Sequence, residues 1–151
     1  ASKSGRAIRF HEQDVRPMGR VATGVRGITL ADESDRVVGL VSTHQVQADL
    51  LVVSEKGFGK RSSVADYRIT KRGGKGVKTL QITGKTGTLV AIKIVADTDE
   101  LMIINESGIA IRIAVADLRI MGRATQGVRL IRLDKDDKIA SVERIRTTEH
   151  T

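Results

Sequence analysis

The chain has 151 residues, 40% of them apolar and 29% charged, enough for one domain with a core of its own. Aromatics are only 2% and Cys is absent, so a core must come from Ile, Val, Leu and Ala, and disulfides, thiolate metal sites and a thiol nucleophile are excluded. The balance of 26 basic to 18 acidic residues gives a net charge of +8 and a pI near 10.2, which suggests a polyanionic partner; no apolar run is long enough to span a membrane, and the opening Ala1 to Gly5 has no signal-peptide core.

In chain order the predicted elements are all strands and turns. A turn at residues 2–5 comes first, followed by short strands at 25–30 and 37–41. Residues 50–53 form an apolar strand, and Ser54-Glu55-Lys56-Gly57 a tight turn whose Gly supplies positive φ; an alternating strand follows. Strands at 77–82 and 89–94 complete that unit. The plan recurs at 101–104, with a turn at 105–108, alternating Ile109, Ile111 and Ile113, and strands at 128–133 and 139–142. No stretch has helical periodicity with caps.

These elements are an internal repeat. Gly5, Gly57 and Gly108 are spaced by 52 and 51 residues, and the offset persists through Asp14, Asp66 and Asp117, Arg20, Arg72 and Arg123, and Gly24-Val25, Gly76-Val77 and Gly127-Val128. Arg16-Pro17-Met18-Gly19-Arg20 mirrors Arg119-Ile120-Met121-Gly122-Arg123. The chain therefore reads as one domain of three repeats, approximately 1–49, 50–98 and 99–151. Four short strands per repeat is the blade plan of propeller-like folds. Repeat one lacks the strand that matches 50–53 and 101–104, so the chain is expected to be a piece of something longer, opening at a hairpin loop. Half a ring would leave open blade faces and an unpaired edge, which predicts a chain that is either marginally stable or self-associating.

Three motifs carry a resemblance: Gly-Val-Arg-Gly-Ile at 24–28, Gly57-Phe58-Gly59-Lys60-Arg61, and Met-Gly-Arg-Ala-Thr-Gln-Gly-Val at 121–128. They resemble the C-terminal DNA-wrapping region of gyrase A subunits, over essentially the whole chain. The resemblance implies an all-β fold, a β-pinwheel of antiparallel four-stranded blades that exchange strands with their neighbours, here the last three blades of a six-blade ring. It also implies duplex DNA wrapped on a basic rim in support of negative supercoiling by an ATP-dependent type IIA topoisomerase. The implied partners are duplex DNA, the remaining blades and catalytic core of gyrase A, and gyrase B. ATP and Mg would act elsewhere in the holoenzyme, which is bacterial, cytoplasmic and nucleoid-associated. The family's hallmark box, Gln-Arg-Arg-Gly-Gly-Lys-Gly, has its nearest match at 70–76, where Thr70 and Lys71 depart from it; that window reads as a later blade. The C-terminal domain of the related topoisomerase IV is an alternative, as is a propeller-like protein-interaction module.

Charge is uneven along the chain. Residues 1–49 carry +1, residues 50–98 carry +7 and residues 99–151 carry 0. Within the window from Lys56 to Lys78 of repeat two, Lys56, Lys60, Arg61, Arg68, Lys71, Arg72, Lys75 and Lys78 stand against Asp66 and no other acid, and these eight are the DNA-binding candidates. Gly73, Gly74 and Gly76 would let the backbone approach phosphates and offer N–H donors. Arg9, Arg61 and Arg112 recur, as do Arg20, Arg72 and Arg123; each set is either a rim of phosphate contacts or a structural ion pair, with Asp14, Asp66 and Asp117 as partners. The non-repeated Lys56, Lys60, Lys71, Lys75 and Lys78 are the better candidates. Contacts of this kind position DNA without reading sequence.

Other chemistry finds no support in the sequence. The Gly and Lys spacing is not that of a P-loop. Tyr67 aligns with Val15 and Leu118, which marks a packing position and not a DNA-cleaving tyrosine. Phe10 and Phe58 fall at variable positions. His11, His44 and His150 lack metal-ligand spacing and read as surface residues. Asp134, Asp136 and Asp137 share a turn with Lys135 and Lys138 and read as a solvated loop. No catalytic residue and no resident cofactor are expected in this chain.

Overall fold

The computed structural model describes residues 1–44 and 48–146. Each repeat opens on a turn that closes on a glycine with positive φ, at Gly5, Gly57 and Gly108. In repeat two the turn joins β2 (Asp49–Ser54) to β3 (Phe58–Ser63), and Phe58 N–H donates to Ser54 Oγ at 3.2 Å. In repeat three it joins β6 (Glu100–Asn105) to β7 (Ala110–Ala114), and Ile109 N–H donates to Asn105 Oδ1 at 2.7 Å. A short polar side chain therefore holds both hairpins at the same point. In repeat one Gly5 N–H donates to the Ser2 carbonyl at 3.0 Å, and only β1 (Arg6–Ala7) follows. After β1, β3 and β7 comes a single 3-10 turn ending on the repeated aspartate: Glu12–Asp14, Val64–Asp66 and Val115–Asp117.

The remaining strands are β4 (Val77–Lys78), β5 (Leu89–Val95), β8 (Val128–Arg129) and β9 (Ile139–Ile145). All ladders between strands are antiparallel, in the orders β1-β4, β5-β2-β3-β8 and β7-β6-β9. Strand exchange is explicit: β4 of repeat two completes blade one, and β8 of repeat three completes blade two. This explains a departure from four strands in every blade. The fourth strand of each blade arrives from the following repeat, so blade three holds three strands and blade two holds four. The strands expected at 77–82 and 128–133 shrink to two-residue ladders, no strand forms at 25–30, and 37–41 contributes only the Ser2–Val37 bridge.

The core lies between blades. Leu50 and Val52 pack with Ala7, Tyr67, Leu80, Leu89 and Ile92 against blade one. Leu51 and Val53 pack with Leu101, Ile103, Val115, Ile131 and Val142 against blade three. A strand sandwiched on both faces needs a continuous apolar run, and β2 has one. Strand β6 has an equally apolar run but buries only Leu101 and Ile103 fully; Ile104 is 38% exposed because nothing among the described residues covers the outer face of blade three.

Candidate nucleic-acid interface

The segment that follows each 3-10 turn carries the charge pattern that matters. Residues 15–30 contain Arg16, Arg20 and Arg26; residues 67–82 contain Arg68, Lys71, Arg72, Lys75 and Lys78; residues 118–133 contain Arg119, Arg123, Arg129 and Arg132. None of the three segments contains an Asp or Glu. The other 14 cations stand against all 18 carboxylates, so the rest of the chain is net −4 and the excess positive charge resides in these segments.

Blade packing lays the segments side by side. Gly73 N–H donates to the Gly27 carbonyl at 2.7 Å, and Thr29 N–H to the Gly74 carbonyl at 2.8 Å. Gln81 N–H donates to the Thr125 carbonyl at 3.1 Å. Two repeated arginines stitch the same joints: Arg72 donates to the Arg26 carbonyl at 3.1 Å, and Arg123 to the Lys78 carbonyl at 3.0 Å. The result is one acid-free ribbon crossing three blades, on which Arg16, Arg20, Arg26, Arg68, Lys71, Lys75, Lys78, Arg119, Arg129 and Arg132 are exposed.

The eight candidates divide on this frame. Arg68, Lys71, Lys75 and Lys78 are exposed on the ribbon. Arg72 is half-buried and holds the Asp14 and Arg26 carbonyls at 3.1 Å each. Lys56 is exposed but lies off the ribbon at the β2-β3 turn, where its ammonium donates to the Gly84 carbonyl at 2.7 Å and the concave surface beside it includes Glu55, Asp134, Asp136 and Asp137. Two candidates need correction. Lys60 is 1% exposed and donates to the carbonyls of Gly122, Arg123 and Thr125. Desolvation, with Arg123 nearby, lowers its pKa to about 8. Arg61 is also buried: its Nε donates to Asp49 Oδ2 at 2.7 Å, and its Nη2 pairs with Asp97. Burial works against its charge, but the hydrogen bonds to Asp97 and Asp49 outweigh it and raise the pKa. Neither side chain is available to a phosphate. A further correction concerns Lys78, which is not peculiar to repeat two: Lys78 faces Arg6 and Arg129 faces Phe58 in matching registers, and Arg26 is the third member of the set.

The Arg9, Arg61, Arg112 set is structural, with a partner other than the repeated aspartates. Arg9 donates to the carbonyls of Val64 and Tyr67 at 3.3 and 3.0 Å. Arg61 donates to those of Val115 and Leu118, both at 3.4 Å. Each thus grips the 3-10 turn of the next blade. The acidic partner is the first residue of the neighbouring strand, Asp49 for Arg61 and Glu100 for Arg112. The glycines also work between blades. Gly73 N–H is already bonded, and a Cβ on Gly76 would lie 2.5 Å from the Ala7 carbonyl oxygen.

Tyr67 is a core residue, 2% exposed, with its hydroxyl bonded to that of Thr79; burial raises its pKa. Phe58 is buried, with the Lys85 ammonium and the Arg129 guanidinium 5.3 and 5.2 Å from its ring centre. His11 and His44 are exposed, and His150 lies outside the described residues. Among the described residues no cluster of His, Asp or Glu is suited to a metal ion, and no helix is long and apolar enough to cross a membrane.

A family profile described as the DNA gyrase C-terminal domain, beta-propeller, matches residues 1–44, 48–96 and 99–146. The chain belongs to that family. Curated relatives include the DNA gyrase A subunits of Staphylococcus aureus strains MRSA252 and NCTC 8325, each 51% identical over 140 residues, or 92% of this chain and 16% of the relative. The chain thus spans about a sixth of those relatives. A solved gyrase A C-terminal domain superposes with a TM-score of 0.85 at 31% identity, over 95% of this chain and 48% of that one. The solved C-terminal domain of DNA topoisomerase IV gives 0.86 at 22% identity, over 96% and 45%, a likeness of fold alone. The all-β blades fit the beta-propeller description of the family profile, and its three matched segments follow the three repeats.

Proposed function

We propose that the chain binds duplex DNA along the acid-free ribbon and bends it, as a portion of the DNA-wrapping domain of a gyrase A protein. The observation that carries this reading is the stacking of three segments with twelve cations and no carboxylate across adjacent blades. Such a ribbon tracks phosphates, releases counterions and leaves the bases unread. Scarce aromatics give no platform for stacking single-stranded bases, so duplex is the partner and its deformability sets any sequence preference. In the holoenzyme, with the remaining blades, the gyrase A core and gyrase B, the bend would present DNA for ATP- and Mg-dependent negative supercoiling in the bacterial cytoplasm.

The test is duplex affinity across a salt series for the chain, for Arg68→Ala/Lys71→Ala/Lys75→Ala and for Lys56→Ala. The parent loses affinity steeply with salt, and the triple variant has a slope shallower by about 0.9 for each contact removed. Lys56→Ala retains the parent slope. Equal slopes for the parent and the triple variant would refute the ribbon as the interface.

A further inference from the structure

Lys60, 1% exposed, puts a positive charge inside the joint between blades two and three, and among the described residues no carboxylate pairs with it. Its ammonium donates to the Gly122 carbonyl at 2.7 Å, the Thr125 carbonyl at 3.0 Å, the Arg123 carbonyl, and the Thr125 hydroxyl at 3.3 Å. The charged group set against it is Arg123, which repels it. From the other elements packed here, β2 presents Val52 opposite Lys60, and Gly127, just ahead of β8, lies against the Lys60 Cβ. The 67–82 segment brings Lys78 and Tyr67 to Arg123; Asp66 acts on Tyr67 and not on Lys60. A buried cation held by carbonyl dipoles alone is costly, and burial pushes its pKa down to about 8.

Packing of the joint does not require that charge. At the first joint the matching residue is Ile8, whose Cδ1 lies 3.5 Å from where a Cβ on Gly74 would sit, on the loop that matches 122–125. The ammonium instead orients the loop. No peptide bond is cis, so each N–H points opposite to the carbonyl before it. With the carbonyls of Gly122, Arg123 and Thr125 drawn onto Lys60, the N–H groups of Arg123, Ala124 and Gln126 face away from it. Among the described residues none of these three N–H groups donates to the chain, and Ala124 is exposed. In repeat two the N–H that matches that of Ala124, on Gly73, is already bonded to the Gly27 carbonyl. Neighbouring free N–H groups with a cation behind them, on a ribbon without carboxylates, make a site for an anion.

We propose that Lys60 builds a phosphate site that it does not touch: a backbone phosphate of duplex DNA binds the N–H groups of Arg123, Ala124 and Gln126, and Lys60 supplies the countercharge from beneath the loop. The identity of the anion rests on the ribbon as the DNA interface; the site itself rests on the loop. Lys60 is a positioning residue, since its ammonium aims the peptides and its charge acts through them. The phosphate favours the charged form of Lys60, so binding draws a proton onto it.

Two probes separate the site from the ribbon. Inorganic phosphate at about pH 7 and constant ionic strength, followed by amide NMR of the chain, shifts the Arg123, Ala124 and Gln126 signals together. Lys60→Met, which keeps the stem and drops the charge, abolishes those shifts; Arg68→Ala/Lys71→Ala/Lys75→Ala keeps them. Plain duplex is the second probe. The ratio of parent to Lys60→Met affinity falls about tenfold from about pH 7 to about pH 10, the factor that goes with one unit of pKa change. Taking the ratio cancels every other group that titrates in that range. Calorimetry of the parent alone, in buffers of different ionisation heat, shows uptake of about half a proton at about pH 8.5, and this measurement needs no variant that folds. Amides that stay in place, a Lys60→Met deficit that is the same at every pH, or duplex binding without proton uptake would overturn the proposal. Phosphate shifts without duplex binding would support the site and refute the ribbon.

Discussion

Replacing Arg61 by Met tests whether the repeated arginine is a joint between blades. Arg61 and Asp49 are 7% and 13% exposed, with Nε and Oδ2 2.7 Å apart. Removing the guanidinium leaves the Asp49 carboxylate buried beside an apolar side chain, a loss of about 3–5 kcal/mol. Asp97 is 75% exposed and adds less than about 1 kcal/mol. The bonds to the Val115 and Leu118 carbonyls are long, at 3.4 Å, and add little more. A domain of this size has about 5–15 kcal/mol in total, so the variant folds with a much reduced margin. Urea unfolding is the assay; with a slope of about 2 kcal/mol per molar, the midpoint falls by about 2 M. Asp49→Leu added to Arg61→Met removes the stranded charge and recovers much of the loss. Arg112→Met, at the same position on the open face, costs less than about 1 kcal/mol at dilution because both its side chain and that of Glu100 reach water. Equal small losses for Arg61→Met and Arg112→Met would refute the reasoning.

Three further outcomes are expected. Lys60, with a folded pKa near 8 against an ordinary 10.5, releases its proton in the folded state first, so its contribution to stability rises with pH from about 8 to 10. Thermal melts of the parent against Lys60→Met over that range show the parent gaining by up to about 3 kcal/mol. Tyr67→Phe removes the buried bond to Thr79 and costs about 1 kcal/mol in urea, with duplex affinity unchanged. Gly127→Ala drives a Cβ into the Gly59 backbone and lifts β8 off β3; its cost exceeds that of Gly24→Ala, which at dilution carries only the strain of positive φ, about 1–2 kcal/mol. Chemical denaturation of the two glycine variants side by side measures the difference.

The repeat, the hairpin glycines and the all-β class were legible in the sequence because each is a local property: a spacing, a positive φ, an apolar run. Tyr67 was legible as packing because its counterparts are Val15 and Leu118. The same comparison bears on Lys60, whose counterparts Ile8 and Ile111 are apolar, and would have moved it from the interface to the core. The ribbon was half legible. Net charge per repeat pointed to repeat two, whereas the absence of any carboxylate from 15–30 and 118–133 was the signal for Arg16, Arg26, Arg119, Arg129 and Arg132. Which partner a repeated arginine takes was not legible, since Asp14, Asp66 and Asp117 stand near in sequence while Asp49 and Glu100 stand near in space. Strand exchange was expected from the family resemblance alone, and its registers belong to the tertiary structure. A two-residue strand such as β4 or β8 has too little local preference to declare itself, and it exists only because a neighbouring blade presents an edge to pair with.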